Sequence, residues 1–121
     1  KKVLDVSPNT SYDGVTFFEL QGTWLALYPI ENLIADISTN IPKSRNNFGV
    51  FTIAHNTDTK EAVNAIIERA KEAGAVIVKK PQDTFWGGFS GYFKDLDGNY
   101  WEIAWGPMFE FSESGEMRFR E

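Results

Sequence analysis

An acidic side chain, Glu102, stands in the middle of an otherwise apolar segment near the end of the chain. Residues 91–107 read GYFKDLDGNYWEIAWGP, which predicts two β-strands joined by a tight turn. Strands favour aromatic and β-branched residues over acids. Because side chains alternate along a strand, Glu102 shares a face with Tyr100, opposite the face of Trp101 and Ile103. Glu102 is therefore a candidate for ligand contact or acid–base chemistry, or it forms an ion pair with a Lys or Arg.

Aromatic residues provide further candidates for ligand binding. Trp24 and Tyr28 share one face of a predicted strand, as Tyr100 and Glu102 share one face of theirs. Trp86 lies in a predicted loop and is followed by two glycines, and loops at a cleft mouth often contact ligands. An aromatic cleft suits a flat or cationic small molecule. The same residues are also typical of an apolar core.

Two other titratable residues are weaker candidates. His55, the only histidine, ends a predicted strand just before a helix. Histidine at such a position is usually a hydrogen-bonded structural residue, and general acid–base chemistry is the alternative. Glu19 lies near a predicted turn, where we expect a residue at the rim of the fold.

Composition limits the class of protein. The chain has 121 residues, of which 42% are hydrophobic and 15% aromatic, as expected for one globular domain with its own core. A net charge of -5 argues against nucleic acid or an anionic membrane as the partner. The absence of cysteine excludes disulfides and thiol chemistry. With neither a long apolar run nor a visible signal peptide, we expect a cytoplasmic location.

The predicted elements follow the order βββ, linker, βαβββ. A short helical turn is predicted at residues 31–36 of the linker, and residues 108–121 form a tail. Hydrophobic alternation and turn residues delimit the strands. The predicted strands comprise residues 3–6, 15–20, 24–28, 48–54, 75–78, 89–94 and 99–105.

One helix has the clearest periodicity in the chain. Residues 58–61 have the spacing of a capping box, with Asp58 as the cap and Glu61 reaching back. Gly74 ends the helix. We expect Ile66 and Ile67 to be buried against the sheet that follows. The apolar stripe consists of Ala62, Val63, Ile66, Ile67, Ala70 and Ala73.

Three stretches resemble one protein family. The hairpin at residues 91–107 resembles the closing hairpin of the glyoxalase/bleomycin-resistance/extradiol-dioxygenase proteins, the vicinal oxygen chelate superfamily. FFELQGTWLALYP, residues 17–29, resembles the end of their first module. Residues 50–93 resemble the second module of an uncharacterised glyoxalase-like branch. The resemblance implies an α+β fold of paired βαβββ modules around a concave cleft.

On this resemblance the chain divides into a partial first module at residues 1–29, a linker at 30–47, a complete module at 48–107 and the tail. The first module would lack its opening strand and helix, which a full family member carries before the position of Lys1. An incomplete meander leaves an unpaired edge and an uncovered apolar face bearing Leu25 and Leu27. Since dimers are common in the family, we expect a homodimer.

The resemblance also implies where a divalent metal would bind, through one residue near the first strand and one near the last strand of each module. Glu102 is the sole matching position. The second position falls on Ala26 and the third on Gly49 or Val50, which have no donor atoms, and the first would precede the chain. Glu19 is an unlikely substitute, because it lies one strand early. We therefore expect no complete metal site.

The favoured function is small-molecule binding in an aromatic cleft with Glu102 at its base. The ligand contacts would come from Trp24, Tyr28, Trp86, Tyr100 and Glu102, with Glu102 and His55 as the candidate catalytic residues. One alternative is a metal-dependent lyase, isomerase or dioxygenase of the glyoxalase type. Another is a ligand-sensing or assembly module without catalysis. The sequence does not name the ligand or decide whether the protein is an enzyme.

Overall fold

The computed structural model describes residues 6–20, 23–38 and 51–120. The predicted strand at 3–6, the end of the linker and the start of the strand at 48–54 therefore lie largely or wholly outside the described residues. The described elements, in chain order, are β1 (Thr16–Leu20), β2 (Thr23–Leu27), α1 (Ile30–Ile37), β3 (Ile53–Asn56), α2 (Lys60–Glu72), β4 (Val76–Asp83), β5 (Phe89–Lys94), β6 (Tyr100–Trp105), β7 (Phe109–Phe111) and β8 (Met117–Phe119).

The central sheet has the strand order β3-β6-β5-β4. β3 runs parallel to β6, whereas β6 with β5 and β5 with β4 are antiparallel pairs. A parallel pair requires a crossover connection, and here α2 begins that connection. The segment from β3 to β6 is thus a βαβββ unit, and the predicted α+β fold is confirmed. The division of the whole chain into modules, linker and tail stays a prediction.

Helix α2 covers one face of this sheet with its apolar stripe. Val63 and Ile67 are buried against Ile103, and Ile66 is half-buried at the margin of the same cluster. The prediction that Asp58 caps the helix is wrong. Thr59 is the N-cap, and its side-chain oxygen accepts a hydrogen bond from the Ala62 amide at 3.1 Å. A threonine in extended conformation immediately before the helix satisfies an amide that has no intrahelical partner.

The helix ends as predicted. Gly74 follows the C-cap with φ of 102°, a conformation that favours glycine. The hairpin between β5 and β6 also turns where predicted, because the Asp95 carboxylate accepts hydrogen bonds from the amides of Asp97 and Asn99. Neither helix of the described part is long and apolar enough to cross a membrane.

Helix α1 lies on the opposite face of the sheet. The predicted helical turn is a helix of eight residues, and its buried residues Ile34 and Ile37 pack against Tyr92. Val78 and Tyr100 complete the contact from the sheet. The predicted linker thus supplies a second helix that covers the side of the sheet on which Glu102 lies.

Two strands differ from their predicted bounds by more than one residue. β4 continues to Asp83 through residues predicted as a loop, and two irregularities in its register with β5 accommodate the extension. Pro81 is tolerated because β4 is an edge strand. β3 begins at Ile53. The residue before it, Thr52, donates its hydroxyl to the Tyr100 carbonyl oxygen at 2.7 Å.

The tail forms a hairpin of β7 and β8 that packs against the β1–β2 hairpin through aromatic rings. Phe119 contacts Phe17 and Trp24, with ring centroids 5.6 and 4.6 Å apart, and Phe109 contacts Trp24 at 5.8 Å. Tyr12 stacks on Phe119 at 5.0 Å. The tail is thus attached to the first hairpin through aromatic contacts.

Candidate functional site

Glu102 lies on the α1 side of the sheet, as strand alternation predicts. Its neighbour Ile103 is buried under α2, so the two side chains leave β6 in opposite directions. Tyr92, directly opposite on β5, donates its hydroxyl to Glu102 Oε2 at 3.1 Å and to Asp36 Oδ2 at 2.5 Å. These three residues bring a sheet carboxylate and a helix carboxylate to one phenol oxygen.

Lys79 on β4 connects the other side of Asp36 to the sheet. Its Nζ donates to the Asp36 backbone oxygen at 2.6 Å and lies 3.8 Å from Asp36 Oδ1. We call Asp36, Lys79, Tyr92 and Glu102 the carboxylate cluster. Sequence reasoning missed Asp36 and Lys79. The one available signal for Asp36 was an acid placed between two isoleucines, Ile34 and Ile37, in a predicted helical turn.

The environment changes the protonation of Glu102. Burial and the nearby Asp36 charge raise the pKa of Glu102 to about 7, although the Tyr92 hydrogen bond and the Lys79 charge oppose the rise. Burial and the same two carboxylates also raise the pKa of Tyr92. Glu102 thus gains or loses a proton near neutral pH, which suits a group that exchanges a proton or a hydrogen bond with a ligand.

Two of the predicted aromatic residues lie at the cluster. The pKa of Tyr28 is raised by partial burial and by the charges of Asp36 and Glu102. The Tyr28 hydroxyl therefore interacts electrostatically with both carboxylates. Tyr100 packs with Tyr92 and the buried residues of α1. Two phenol rings, those of Tyr28 and Tyr100, therefore flank the carboxylate cluster, which itself contains the ring of Tyr92.

The other two predicted aromatic residues lie elsewhere. Trp24 belongs to the aromatic packing between the hairpins of the first and last strands, not to the surroundings of Glu102. The Trp86 ring covers Gly88 and Gly106 so closely that a Cβ at either glycine would overlap it, at 2.0 and 2.8 Å. Trp86 is thus packed against the end of the sheet. Ligand contact by Trp24 or Trp86 stays a prediction.

The remaining candidates are separated from the carboxylate cluster. His55 is exposed on the edge strand β3, in register with Ile103 and hence on the α2 side of the sheet. Glu19 is exposed on β1, opposite Trp24. The geometry brings neither residue to Glu102, and their catalytic or metal-binding roles stay untested.

The described residues do not fit a complete divalent metal site. Ala26 is exposed and has no donor, and Gly49 and Val50 lie outside the described residues. Within residues 6–20, 23–38 and 51–120, no three His, Cys, Asp or Glu side chains converge. Asp36 and Glu102 supply two carboxylates, whereas stable sites need several protein ligands in fixed geometry.

A surface groove of about 360 Å³ lies between the end of β6 and the tail hairpin, apart from the carboxylate cluster. Its most basic residue, Arg120, donates hydrogen bonds to the backbone oxygens of Pro107 and Phe109, both at 3.2 Å. In the carboxylate cluster, by contrast, the pKa of Glu102 is raised to about 7. The chemistry therefore favours the carboxylate cluster as the candidate site. The groove is lined by Asp58, Trp105, Gly106, Pro107, Phe109, Glu110, Phe111 and Arg120.

Comparisons with known proteins place these features in a family context. Residues 1–103 match the sequence family described as the Glyoxalase/Bleomycin resistance protein/Dioxygenase superfamily. The chain is similar to a glyoxalase-related enzyme from Fulvimarina pelagi, with 26% identity over 96% of this chain and 81% of that chain and a TM-score of 0.58. No curated protein matches the sequence.

A second structure shares the fold alone. The NAD-dependent benzaldehyde dehydrogenase from Legionella pneumophila has 19% identity, with a TM-score of 0.65 over 87% of this chain and 82% of that chain. At this identity the likeness concerns the arrangement of helices and strands.

Proposed function

The chain belongs to the glyoxalase/bleomycin resistance protein/dioxygenase superfamily, and from this premise we propose that it binds a small molecule at the carboxylate cluster without a complete metal site. The superfamily fold supports a small-molecule-binding or enzyme-like protein. The finer assignment rests on the cluster itself, because function is carried by a site and not by a fold.

The observation that carries the proposal is the position of Glu102. A half-buried carboxyl group is placed on the sheet beside a second carboxylate, and its pKa is raised to about 7. Hydrophobic cores rarely contain neighbouring acidic side chains, because burying an uncompensated charge costs free energy. Perturbed titratable groups of this kind are typical of binding and catalytic sites.

The chemistry of the cluster indicates the class of ligand. Asp36 and Glu102 together carry more negative charge than Lys79 neutralises once Glu102 is ionised. Tyr28 and Tyr100 add ring surface beside them. A small flat molecule with a positive or hydrogen-bond-donating group would pair with the carboxylates and stack on the rings.

Benzamidine is a suitable first probe, because it joins a flat ring to an amidinium cation. We expect calorimetric titration at pH 8 to detect benzamidine binding and to detect weaker or no binding of benzoate, an anion of similar size. In Glu102→Gln the affinity for benzamidine should fall about tenfold, as expected for the loss of one charge-assisted hydrogen bond.

Glu68→Gln is the matched control, since Glu68 is exposed on α2 and the substitution removes the same charge. Equal loss of affinity in both variants would show a general charge effect and contradict the site assignment. Equal binding of benzamidine and benzoate would contradict the proposed ligand class.

A metal-dependent enzyme of the glyoxalase type is the second candidate. The meeting of Asp36 and Glu102 at one hydroxyl favours it, since carboxylate oxygens are the ligands that hard divalent cations prefer. Against it stands the lack of a third converging donor among the described residues. Metal analysis separates the two candidates.

A further inference from the structure

The proposed ligand face is covered by part of the same chain. Helix α1 lies on the sheet directly over Tyr92, with Ile34 and Ile37 buried and Asp36 hydrogen-bonded to the Tyr92 hydroxyl. A small molecule that reaches Glu102 from this side meets α1 first. Helices α1 and α2 cover opposite faces of the same sheet, so the interfaces that they form with it can be compared.

The two interfaces differ in chemistry. Helix α2 lies along β4, β5 and β6 with an apolar interface that contains Val63, Ile67 and Ile103. Helix α1 also packs on the sheet through apolar residues, with Ile34 and Ile37 buried and Ile30 and Leu33 beside them. Unlike α2, it also places an acid, Asp36, over Tyr92 and near Glu102. Like charges at close range oppose docking, and only Lys79 offsets them in the cluster.

A second feature of this face, unusual for an apolar core, is a buried hydroxyl group without a hydrogen-bond partner among the described residues. Ser90 lies two residues from Tyr92 on β5 and thus on the same face, and it is 1% exposed. Its hydroxyl has no hydrogen-bond partner among the described residues. Buried hydroxyls in native cores are nearly always paired, because an unpaired one destabilises the folded state.

The start of α1 is also weakly secured. Its N-cap is Pro29, which makes no side-chain capping hydrogen bond, whereas α2 is capped by Thr59. A capping hydrogen bond stabilises a helix, because it satisfies an amide without an intrahelical partner. A short helix without this contribution depends on the sheet contact for its stability.

We propose that α1 is a displaceable cover of the ligand face, which undocks locally so that a small molecule can contact Tyr92 and Glu102. The inference rests on the proposed function for the identity of the face. The undocking itself is independent of any ligand. Undocking would separate the carboxylate of Asp36 from that of Glu102. It would also expose the face of β5 on which Ser90 and Tyr92 lie.

The absence of native cysteine makes the proposal directly measurable, since one introduced thiol reports on one position. Ile37→Cys places a thiol under α1, and Val63→Cys places one under α2, at residues that are 1% and 0% exposed. We expect a thiol reagent at pH 8 to modify position 37 at least about tenfold faster than position 63, as for local rather than global opening. Ile34→Cys provides a second reporter in case the first variant folds poorly.

Glu102→Gln tests the physical cause at constant pH. The substitution removes the charge beside Asp36, so the rate of thiol modification at position 37 should fall severalfold relative to the rate at position 63. Equal rates at positions 37 and 63 in both backgrounds would overturn the proposal, because α1 would then leave only on global unfolding. The face would in that case be ordinary core, which favours a module without a ligand.

Benzamidine separates this inference from the proposed function. If benzamidine binds by calorimetry, it should accelerate modification at position 37. Binding that instead protects position 37 would overturn the displacement of α1 while leaving the binding function intact. Failure of benzamidine to bind would contradict the ligand class, and the comparison of positions 37 and 63 would still decide whether α1 undocks.

Discussion

The Tyr92 hydroxyl lies within hydrogen-bond distance of two carboxyl groups, 2.5 Å from Asp36 Oδ2 and 3.1 Å from Glu102 Oε2. A phenol has a single hydrogen, so it cannot satisfy two ionised carboxylates at the same moment. A proton on Glu102 resolves the conflict, because Glu102 then donates to Tyr92 while Tyr92 donates to Asp36. The raised pKa of Glu102, about 7, agrees with this arrangement.

The first prediction concerns the pH dependence of stability. The folded pKa of Glu102 lies above its ordinary value of 4.5, so the folded state holds the proton more tightly than the unfolded state. The free energy of unfolding therefore falls as pH rises from about 4.5 through 7. Relative to Glu102→Gln, we expect the unmodified protein to lose roughly 2–3 kcal/mol between pH 5 and 8, measured by urea unfolding.

Glu68→Gln serves as the control for that experiment and should follow the unmodified protein at every pH. A constant difference between the unmodified protein and Glu102→Gln across this pH range would contradict the shared-proton arrangement.

The second prediction concerns Tyr92. Tyr92→Phe keeps the buried ring but removes the hydroxyl that joins α1 to the sheet. We expect the free energy of unfolding to fall by about 1–3 kcal/mol at pH 6, because two partly buried carboxyl groups lose their partner. Tyr12→Phe, at a residue that is 37% exposed, should change stability by less than about 0.5 kcal/mol. Equal effects of both substitutions in urea unfolding would refute the role of the hydroxyl.

The third prediction concerns the start of α2. The Thr59 side chain, not that of Asp58, accepts the capping hydrogen bond from Ala62. Thr59→Ala should therefore destabilise the protein by about 1 kcal/mol in thermal or urea unfolding. Asp58→Ala should cost less, since the contact of Asp58 with Trp105 uses its backbone oxygen. The reverse order would restore the capping box that the sequence predicts.

Local signals explain which parts of the fold were predictable. The periodic stripe of α2 and the turn at Asp95 depend on neighbouring residues, so the sequence indicates both. The choice between Asp58 and Thr59 as cap depends on backbone dihedrals, since either side chain can serve. The eight-residue α1 has an apolar face, but nothing in the sequence indicates which surface that face covers.

The candidate site was predictable only in part, for the same reason. Strand alternation places Glu102 on the correct face. The approach of Asp36 and Lys79 to that face depends on how α1 docks, which is a contact between residues distant in sequence. The contacts of the Trp24 ring with Phe109 and Phe119 in the tail likewise join residues distant in sequence, and its contact with a ligand stays a prediction.

The fourth prediction concerns assembly. Leu27 on β2 is 55% exposed, and Phe51 and Ile53 are exposed at the start of the edge strand β3. Exposed apolar side chains on strand edges favour association. We propose a homodimer whose interface covers the exposed side of β2, including Leu27. In sedimentation velocity, Leu27→Glu should weaken association at least about tenfold, as expected for a charge placed in an apolar contact.

Leu96→Glu introduces the same charge at an exposed leucine in the β5–β6 turn and is the matched control for assembly. Equal weakening by both substitutions would show a charge effect and not a specific interface. A monomer of the unmodified protein at high concentration would contradict the homodimer.

The last prediction concerns metal at Glu102. Two carboxylates joined through the Tyr92 hydroxyl bind a divalent cation weakly, because a stable site needs several protein ligands in fixed geometry. We therefore expect elemental analysis of protein purified without chelator to find far less than one metal per chain, and titrations with nickel, zinc and manganese to show only weak binding. Glu110→Gln, which removes an acid from the distant groove, is the control. Near-stoichiometric metal that is lost in Glu102→Gln but kept in Glu110→Gln would make the metal-dependent enzyme the leading function, because only a site centred on Glu102 distinguishes these two variants.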